Sequence, residues 1–243
     1  MRIWKQFSCL ERTELLQYQK ANEDTAAKNQ SCAKEIKGYY PYFWLFVIGS
    51  VVGFFLEGFW SILRLRIWEN HASTIWGPFC IVYGVGTVVI YAVGRRLAQK
   101  PKWLQFAVFA FVGTAVEFFS SLFQEAIFGS VSWDYSHHFL NVSGRVSLQM
   151  SLIWGALGIL FTRWIFPHLE EVVHKMRGRR WNILCIVLSV FMVLNLLMTS
   201  VAVLRWRERL FDIPASNPLE NYLDSAYGDE RMEKIFCNMN FLE

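Results

Sequence analysis

The stretch from Tyr42 to Leu63 reads YFWLFVIGSVVGFFLEGFWSIL, and it decides the fold. It is long enough to cross a bilayer, because a spanning helix needs about 20 mostly apolar residues. Four further apolar runs follow along the chain. The predicted spans are Tyr42–Leu63, Trp76–Val93, Trp103–Phe128, Val146–Phe166 and Trp181–Leu204. We therefore predict an all-α integral membrane protein with five transmembrane helices.

The composition of the whole chain agrees with a membrane protein. Of the 243 residues, 54% are hydrophobic and only 18% are charged, whereas soluble domains have about 25% charged residues. This excludes a disordered chain or a disulfide-rich secreted module and argues against an ordinary soluble enzyme. The five cysteines are scattered and form no C-x-x-C pair, so we expect neither a metal site nor a disulfide framework.

The polarity of the sequence divides the chain into four regions. Residues 1–40 are predicted to be a cytoplasmic, polar or amphipathic segment, because they lack the apolar core of a signal peptide. Residues 41–166 would form a four-span core, and residues 167–204 a basic loop and the fifth span. Residues 205–243 would form a polar C-terminal tail with a short helix around Asp229–Cys237.

The first four spans contain an internal similarity. The pattern G-x-x-x-E occurs at Gly53–Glu57 in the first span and at Gly113–Glu117 in the third. The second and fourth spans then share a tetrapeptide, I-V-Y-G at Ile81–Gly84 and L-I-W-G at Leu152–Gly155. Since each unit would hold two spans, both units keep the same orientation. We predict two parallel two-helix repeats followed by the fifth span.

Lys and Arg are more frequent in the connections on one side of the predicted spans, and such residues favour the cytoplasm. On the basic side they are Lys28, Lys34, Lys37, Arg95, Arg96, Lys100, Lys102, Lys175, Arg177, Arg179 and Arg180, and on the other side Arg64, Arg66, Arg145, Arg205, Arg207 and Arg209. The expected topology is a multi-pass protein of the plasma membrane, with a cytoplasmic N-terminus and the tail outside.

Five polar residues are the candidate site. Glu57 and Glu117 lie inside apolar spans, where an unpaired carboxylate costs several kcal/mol. Asp134, Asn141 and Arg145 lie in the long loop that precedes the fourth span. In a structural interpretation, Arg145 pairs with Glu57 or Glu117 and fixes the repeat interface. In a functional one, the residues line a polar cavity, open to the outer face, that binds a ligand, an ion or a lipid head group.

Other function classes have weaker support in the sequence. No G-x-S-x-G nucleophile signature and no P-loop occur, so we expect neither an enzyme with catalytic residues nor a cofactor. Nucleic-acid binding would require a soluble basic domain. The basic loops are better explained as topology signals and as contacts to the lipid bilayer.

Three motifs carry a family resemblance. They are WGPFCIVYGVG at Trp76–Gly86, WDYS at Trp133–Ser136 and NVSGRVSLQMSLIWG at Asn141–Gly155. Together they resemble the CmpB-like family, described as type IV permeases of ABC transporters in bacteria, with vertebrate transmembrane relatives. The tail at Tyr227–Phe241 is also similar to bacterial members, which often have proline where this chain has Gly228 and Cys237.

The resemblance implies a membrane permease component that binds a small polar or charged solute at the five candidate residues. It also implies a separate ATPase subunit docked on the basic loops. A homo-oligomer or a partner is expected because five spans make only a small pore. The alternative is a non-transporting membrane protein that binds lipid or assists the assembly of a partner.

Overall fold

The structure is a computed structural model that describes residues 38–242. The predicted cytoplasmic segment 1–40 therefore lies almost wholly outside the described residues. The described part is mostly helical. Its elements are α1 Tyr39–Leu65, α2 Ile81–Leu97, α3 Lys102–Phe128, β1 Ser130–Val131, α4 Leu148–Leu160, a π-helical turn Phe161–Ile165, α5 Phe166–Lys175, α6 Arg179–Leu210, α7 Pro218–Ala226, α8 Asp229–Ile235 and β2 Asn240–Phe241.

Four helical stretches are long and apolar enough to cross a membrane. They are Tyr39–Leu65, Lys102–Phe128, Leu148–Lys175 and Arg179–Leu210. The chain is thus a multi-pass membrane protein. The helix of the predicted second span is not among these four, and it begins at Ile81 rather than at Trp76. With 17 residues, α2 is about 25 Å long, which is shorter than the roughly 30 Å of a hydrocarbon core.

The fourth and fifth predicted spans are longer in the structure than in the sequence-based prediction. The helix that starts at Leu148 continues through the π-helical turn to Lys175. The prediction ended this span at Phe166, because His168 and Glu170 follow. Similarly, α6 extends beyond the apolar run at both ends. The polar ends of these two helices cannot be read from a hydropathy pattern. The structure shows where they end.

The helices form two closely packed hairpins, in which α1 lies along α2 and α3 lies along α4. Small residues allow the close approach. A Cβ atom placed on Gly53 would lie 2.2 Å from the Cβ of Tyr83, and one on Gly113 would lie 2.4 Å from the ring of Trp154. We call the end of the bundle where α1, α3 and α6 end the tail side, and the other end the opposite side.

A non-helical segment, residues 66–80, connects α1 to α2 on the tail side. The backbone polar groups of Ile75 and Trp76 in this segment are hydrogen-bonded by side chains of α6. The Asn195 side chain accepts a hydrogen bond from the Trp76 N–H at 3.2 Å and donates to the Trp76 carbonyl at 2.6 Å. Thr199, one turn later, accepts from the Ile75 N–H at 3.0 Å. This explains how irregular backbone survives next to apolar helices, where unpaired groups are costly.

The C-terminal tail folds back on the same segment. The buried apolar residues that join the two are Ile75, Ala202, Val203, Trp206, Leu223, Tyr227, Met232 and Phe236. The Trp76 indole donates to the Tyr227 hydroxyl at 2.9 Å. Strand β2 pairs antiparallel with β1, directly after α3. The tail therefore ties together the ends of α3 and α6 and the segment that precedes α2.

Candidate functional site: two carboxylates on the tail side

The first carboxylate of the candidate site is Glu57, two turns before the end of α1. Its Oε1 accepts a hydrogen bond from the hydroxyl of Tyr83, which lies in the first turn of α2. Gly53, one turn before Glu57, packs against the Tyr83 ring. The glycine thus makes room for the aromatic side chain that reaches the acid.

The second carboxylate, Glu117 in α3, is only 5% exposed. One oxygen accepts from the Tyr135 hydroxyl at 2.9 Å, and the other accepts from the Trp154 indole at 3.0 Å. Gly113, again one turn earlier, packs against the Trp154 ring. Both oxygens of this buried acid are therefore hydrogen-bonded, each to a neutral donor.

The two hairpins place equivalent residues in equivalent contacts. In each, a glycine one turn before the glutamate packs against the aromatic ring whose polar atom donates to that glutamate. Nearer the middle of the bundle, Phe46 packs against Gly84 in the first hairpin, and Phe106 packs against Gly155 in the second. The glycines, glutamates and aromatic donors stand in the patterns that the sequence analysis matched, whereas Phe46 and Phe106 lie outside them.

Tyr135 brings the long loop into contact with the second acid. Its phenol lies in the loop before α4, outside the spanning helices, and donates directly to Glu117. Burial raises the pKa of Tyr135, and the negative charges of Glu117 and Glu57 raise it further. Glu57 and Glu117 both lie in the tail-side half of their helices, α1 and α3.

In the structural interpretation of the sequence, Arg145 pairs with Glu57 or Glu117. The structure shows that this pairing is wrong. The Arg145 guanidinium forms an ion pair with Glu125 at 2.6 Å and donates to the Ser121 hydroxyl at 3.3 Å. Arg145 precedes α4 and lies level with the end of α3. Glu125 is two turns, about 12 Å, beyond Glu117 along the same helix, so it is the acid within reach.

Consequently, no basic side chain within residues 38–242 forms an ion pair with Glu57 or Glu117. Their hydrogen bonds come from phenols and an indole. This arrangement can accept a proton or a positively charged group without first breaking an ion pair.

The other two predicted site residues shape the loop that holds Tyr135. The Asp134 carboxylate accepts from the backbone N–H of Ser136 at 2.8 Å and from its hydroxyl at 2.9 Å, and these bonds lower the pKa of Asp134. Asn141 donates to the carbonyls of Ser136 and His138 and accepts from the Gly144 N–H. Both side chains bond within the loop instead of reaching the carboxylates.

Sequence reasoning missed the roles of Tyr83 and Trp154. Both stood in the matched tetrapeptides, and the signal was an aromatic residue with a polar atom before the shared glycine. It also missed Asn195 and Thr199, whose spacing of one helical turn places both on the same face of an apolar span. Among residues 38–242, no group of three or more His, Cys, Asp and Glu side chains could hold a metal ion.

A different polar cluster lies toward the opposite side. Tyr91, fully buried, donates to Glu170 at 2.7 Å, and Arg95 forms an ion pair with the same carboxylate oxygen at 2.5 Å. The π-helical turn immediately precedes the helix that carries Glu170, and its Thr162 packs against Gly94. Here the acid has a basic partner, unlike the two acids on the tail side.

These features define a class of protein: a multi-pass α-helical membrane protein with paired hairpins and polar residues between its helices. A family model described as "Putative ABC-transporter type IV" matches residues 44–200. The chain belongs to this family, that of the CmpB-type proteins, and is a transporter-related membrane protein. Searches of curated proteins and of solved structures gave no match.

Proposed function

We propose that this protein is the membrane-embedded permease component of a transporter, and that it binds a small polar or charged solute at Glu57 and Glu117. The observation that carries the proposal is the pair of carboxylates near Tyr135 that lack basic partners among the described residues. An ionised carboxylate inside an apolar helix costs several kcal/mol. A carboxylate with a purely structural role would be expected to offset this cost by pairing with a cation, as Glu170 pairs with Arg95.

The chemistry of the site favours a positive charge. Each carboxylate already accepts hydrogen bonds from neutral donors, which hold its geometry but leave its charge in place. A cationic solute, or a coupling proton, would neutralise that charge. Asp134 and Asn141 would contribute by fixing the loop at the cavity mouth, and Arg145 by bonding that loop to α3 through Glu125.

The proposal includes a topology. Helix α2 would be a short fifth span, with residues 66–80 completing its passage on the tail side. The matched contacts of the two hairpins support parallel two-helix repeats. The N-terminus would be cytoplasmic and the tail side would face outward, in the plasma membrane, because Lys and Arg are more frequent in the opposite-side connections. The cavity would then open to the outer face.

Partners follow from the family. The chain would carry no catalytic residue of its own. A separate ATPase would dock on the basic cytoplasmic loops, and a homo-oligomer or partner subunit would complete the pore. Mass spectrometry of the complex, extracted in mild detergent, tests this: a stoichiometric ATPase is expected. A homo-oligomer carrying only a bound lipid would favour the other candidate function.

That other candidate is a non-transporting protein that binds lipid or assists the assembly of a partner. One specific observation favours it: both oxygens of Glu117 are already hydrogen-bonded within the chain. In that case the carboxylates would serve only to fix the packing of the hairpins.

One experiment distinguishes the two functions. Proteoliposomes containing the purified chain are exposed to concentration jumps of Na⁺, K⁺, tetramethylammonium or H⁺, and the transient charge movement is recorded. We expect a signal for at least one of these cations in the wild type. It should be lost in Glu117→Gln and Glu57→Gln, while their folded yields stay near wild type.

The matched control is Glu230→Gln, which removes an acid from an exposed ion pair with Lys234 in the tail. It should leave the charge movement unchanged. If no cation produces a signal, and Glu117→Gln instead reduces the folded yield, the carboxylates are structural and the proposal fails.

A further inference from the structure

Three arginines alternate near the end of α6, and they differ in their partners. Arg205 binds Asp224 through two nitrogens and also binds Glu208, whereas Arg209 binds Asp224 and Asp229. Arg207 forms no ion pair within residues 38–242, and its buried Nε has no hydrogen-bond partner there. Of the three, it alone has no described carboxylate to neutralise it.

Arg207 continues the lipid-facing side of the helix. Along α6, exposed apolar residues recur at helical spacing up to the level of Arg207, and Phe211 follows one turn later. The exposed residues of this stripe are Val193, Leu197, Val201, Leu204 and Phe211. A long cationic side chain at the end of such a stripe lies at the boundary between hydrocarbon and head groups.

The guanidinium of Arg207 lies beside the C-terminal end of α3. A Cβ atom on Gly129, which has φ +62°, would lie 2.7 Å from the Arg207 Cζ and 2.9 Å from one Nη. The guanidinium therefore lies directly against the backbone of Gly129, at the left-handed residue that ends α3. The Phe211 ring lies 5.7 Å from Cζ. The C-terminal end of α3, which is partly negative, also favours a cation here.

We propose that Arg207 binds the phosphate of an anionic phospholipid at the tail-side boundary of the membrane. The planar fork of a guanidinium suits two parallel hydrogen bonds to a phosphate. The lipid is the source of that phosphate because the residue extends a lipid-facing stripe and is flanked by an exposed phenylalanine. This site is separate from the carboxylate site and stands independently of the proposed function.

Native mass spectrometry of the delipidated full chain, titrated with phosphatidylglycerol in a neutral detergent, tests the proposal. Since one such charge contributes about 1 kcal/mol to anionic lipid binding, Arg207→Gln should weaken the first binding event about fivefold. Arg207→Lys should bind with intermediate affinity, because an ammonium group keeps the charge but lacks the fork.

Two arms address specificity. Arg64→Gln removes an exposed arginine near the tail-side end of α1 and should leave phosphatidylglycerol binding unchanged; an equal loss would indicate general surface charge and overturn the site. Inorganic phosphate at millimolar concentration should not displace the lipid. Displacement would identify a site for soluble phosphate instead.

The third arm guards against a folding defect. The thermal midpoint of Arg207→Gln without lipid is measured beside that of the wild type. If Arg207→Gln unfolds, Arg207→Lys is compared with the wild type instead. Wild-type affinity for phosphatidylglycerol in Arg207→Lys would then overturn the proposal. Wild-type affinity in a folded Arg207→Gln would do the same.

Discussion

The acids that lie between helices have different partners at the two ends of the bundle. On the opposite side, Glu170 has both a cation, Arg95, and a phenol, Tyr91. On the tail side, Glu57 and Glu117 have only neutral donors. An ion pair fixes the protonation state and the packing of an acid, whereas neutral donors fix only its position. The contrast is therefore between an acid that has a basic partner and two acids that have neutral donors only, and the proposed function depends on the latter.

The largest effect on stability is expected at the ion pair. Glu170→Ala would leave Arg95 without its carboxylate in a partly buried site. Removing one member of a fully buried pair costs about 3–5 kcal/mol. Because both side chains keep some exposure, we expect a loss of about 2–3 kcal/mol in the free energy of unfolding in detergent.

The double variant Arg95→Met with Glu170→Leu is the matched control. Replacing both members with apolar residues should restore much of the loss, since no unpaired charge remains. If the double variant is as unstable as Glu170→Ala, the ion pair is not the source of the effect.

A somewhat smaller effect is expected where the tail side relies on neutral hydrogen bonds. Asn195→Leu removes both bonds to the backbone of Trp76 and leaves an N–H and a carbonyl unsatisfied. Each such buried group costs about 1–3 kcal/mol when it has no other partner. Because water can reach part of this segment, we expect a total loss of about 2 kcal/mol in unfolding free energy. Ser200→Leu should be nearly neutral, because Ser200 is only partly buried and its hydroxyl bonds the Leu196 carbonyl of its own helix rather than residues 66–80.

The tail responds to acid. Hydrogen bonds from Arg205, with a further contribution from Arg209, lower the pKa of Asp224 from 3.8 to about 2. Since the folded pKa is the lower one, the stability from this group is present above pH 4 and is lost as the pH falls toward 2. Fluorescence of the buried Trp206 should report undocking of the tail in this range. Asp224→Asn should lack this step and should be less stable than wild type at pH 7.

The smallest effect on stability is expected at the candidate site itself. Glu57→Gln and Glu117→Gln keep the shape of the side chain and at least one acceptor oxygen while removing an uncompensated charge. Each should change the unfolding free energy by less than about 1 kcal/mol. A loss as large as that of Glu170→Ala would remove the contrast between the two ends of the bundle.

Much of the fold could be predicted because hydropathy reports burial in lipid. The four longest apolar helices appear close to their predicted positions. Helix α2 was misplaced because Trp76–Cys80 is apolar but not helical. Its conformation depends on Asn195 and Thr199, which come more than a hundred residues later in the chain. A local pattern cannot report a hydrogen bond between such distant segments.

The candidate site was predictable in part, for the same reason. Glu57 and Glu117 stand out as acids within apolar runs, and the aromatic donors occupy matched motifs. The partner of Arg145 could not be predicted, because Glu57, Glu117 and Glu125 all lie on the same side of the predicted spans. Arg145 pairs with Glu125 because the loop places it next to the end of α3. The sequence gives the order of residues along a helix. It does not show which turn of that helix a loop residue will contact.

The dependence of residues 66–80 on α6 has a consequence for biogenesis. The chain is synthesised from its N-terminus, so α1, residues 66–80 and α2 are made before Asn195 and Thr199 exist. Until α6 is inserted, the N–H groups of Ile75 and Trp76 must be satisfied by water or by the insertion machinery. The first hairpin therefore cannot reach its final form during its own synthesis. In a nascent chain truncated before Asn195, residues 66–80 should remain accessible to water. They should become protected only when α6 is present.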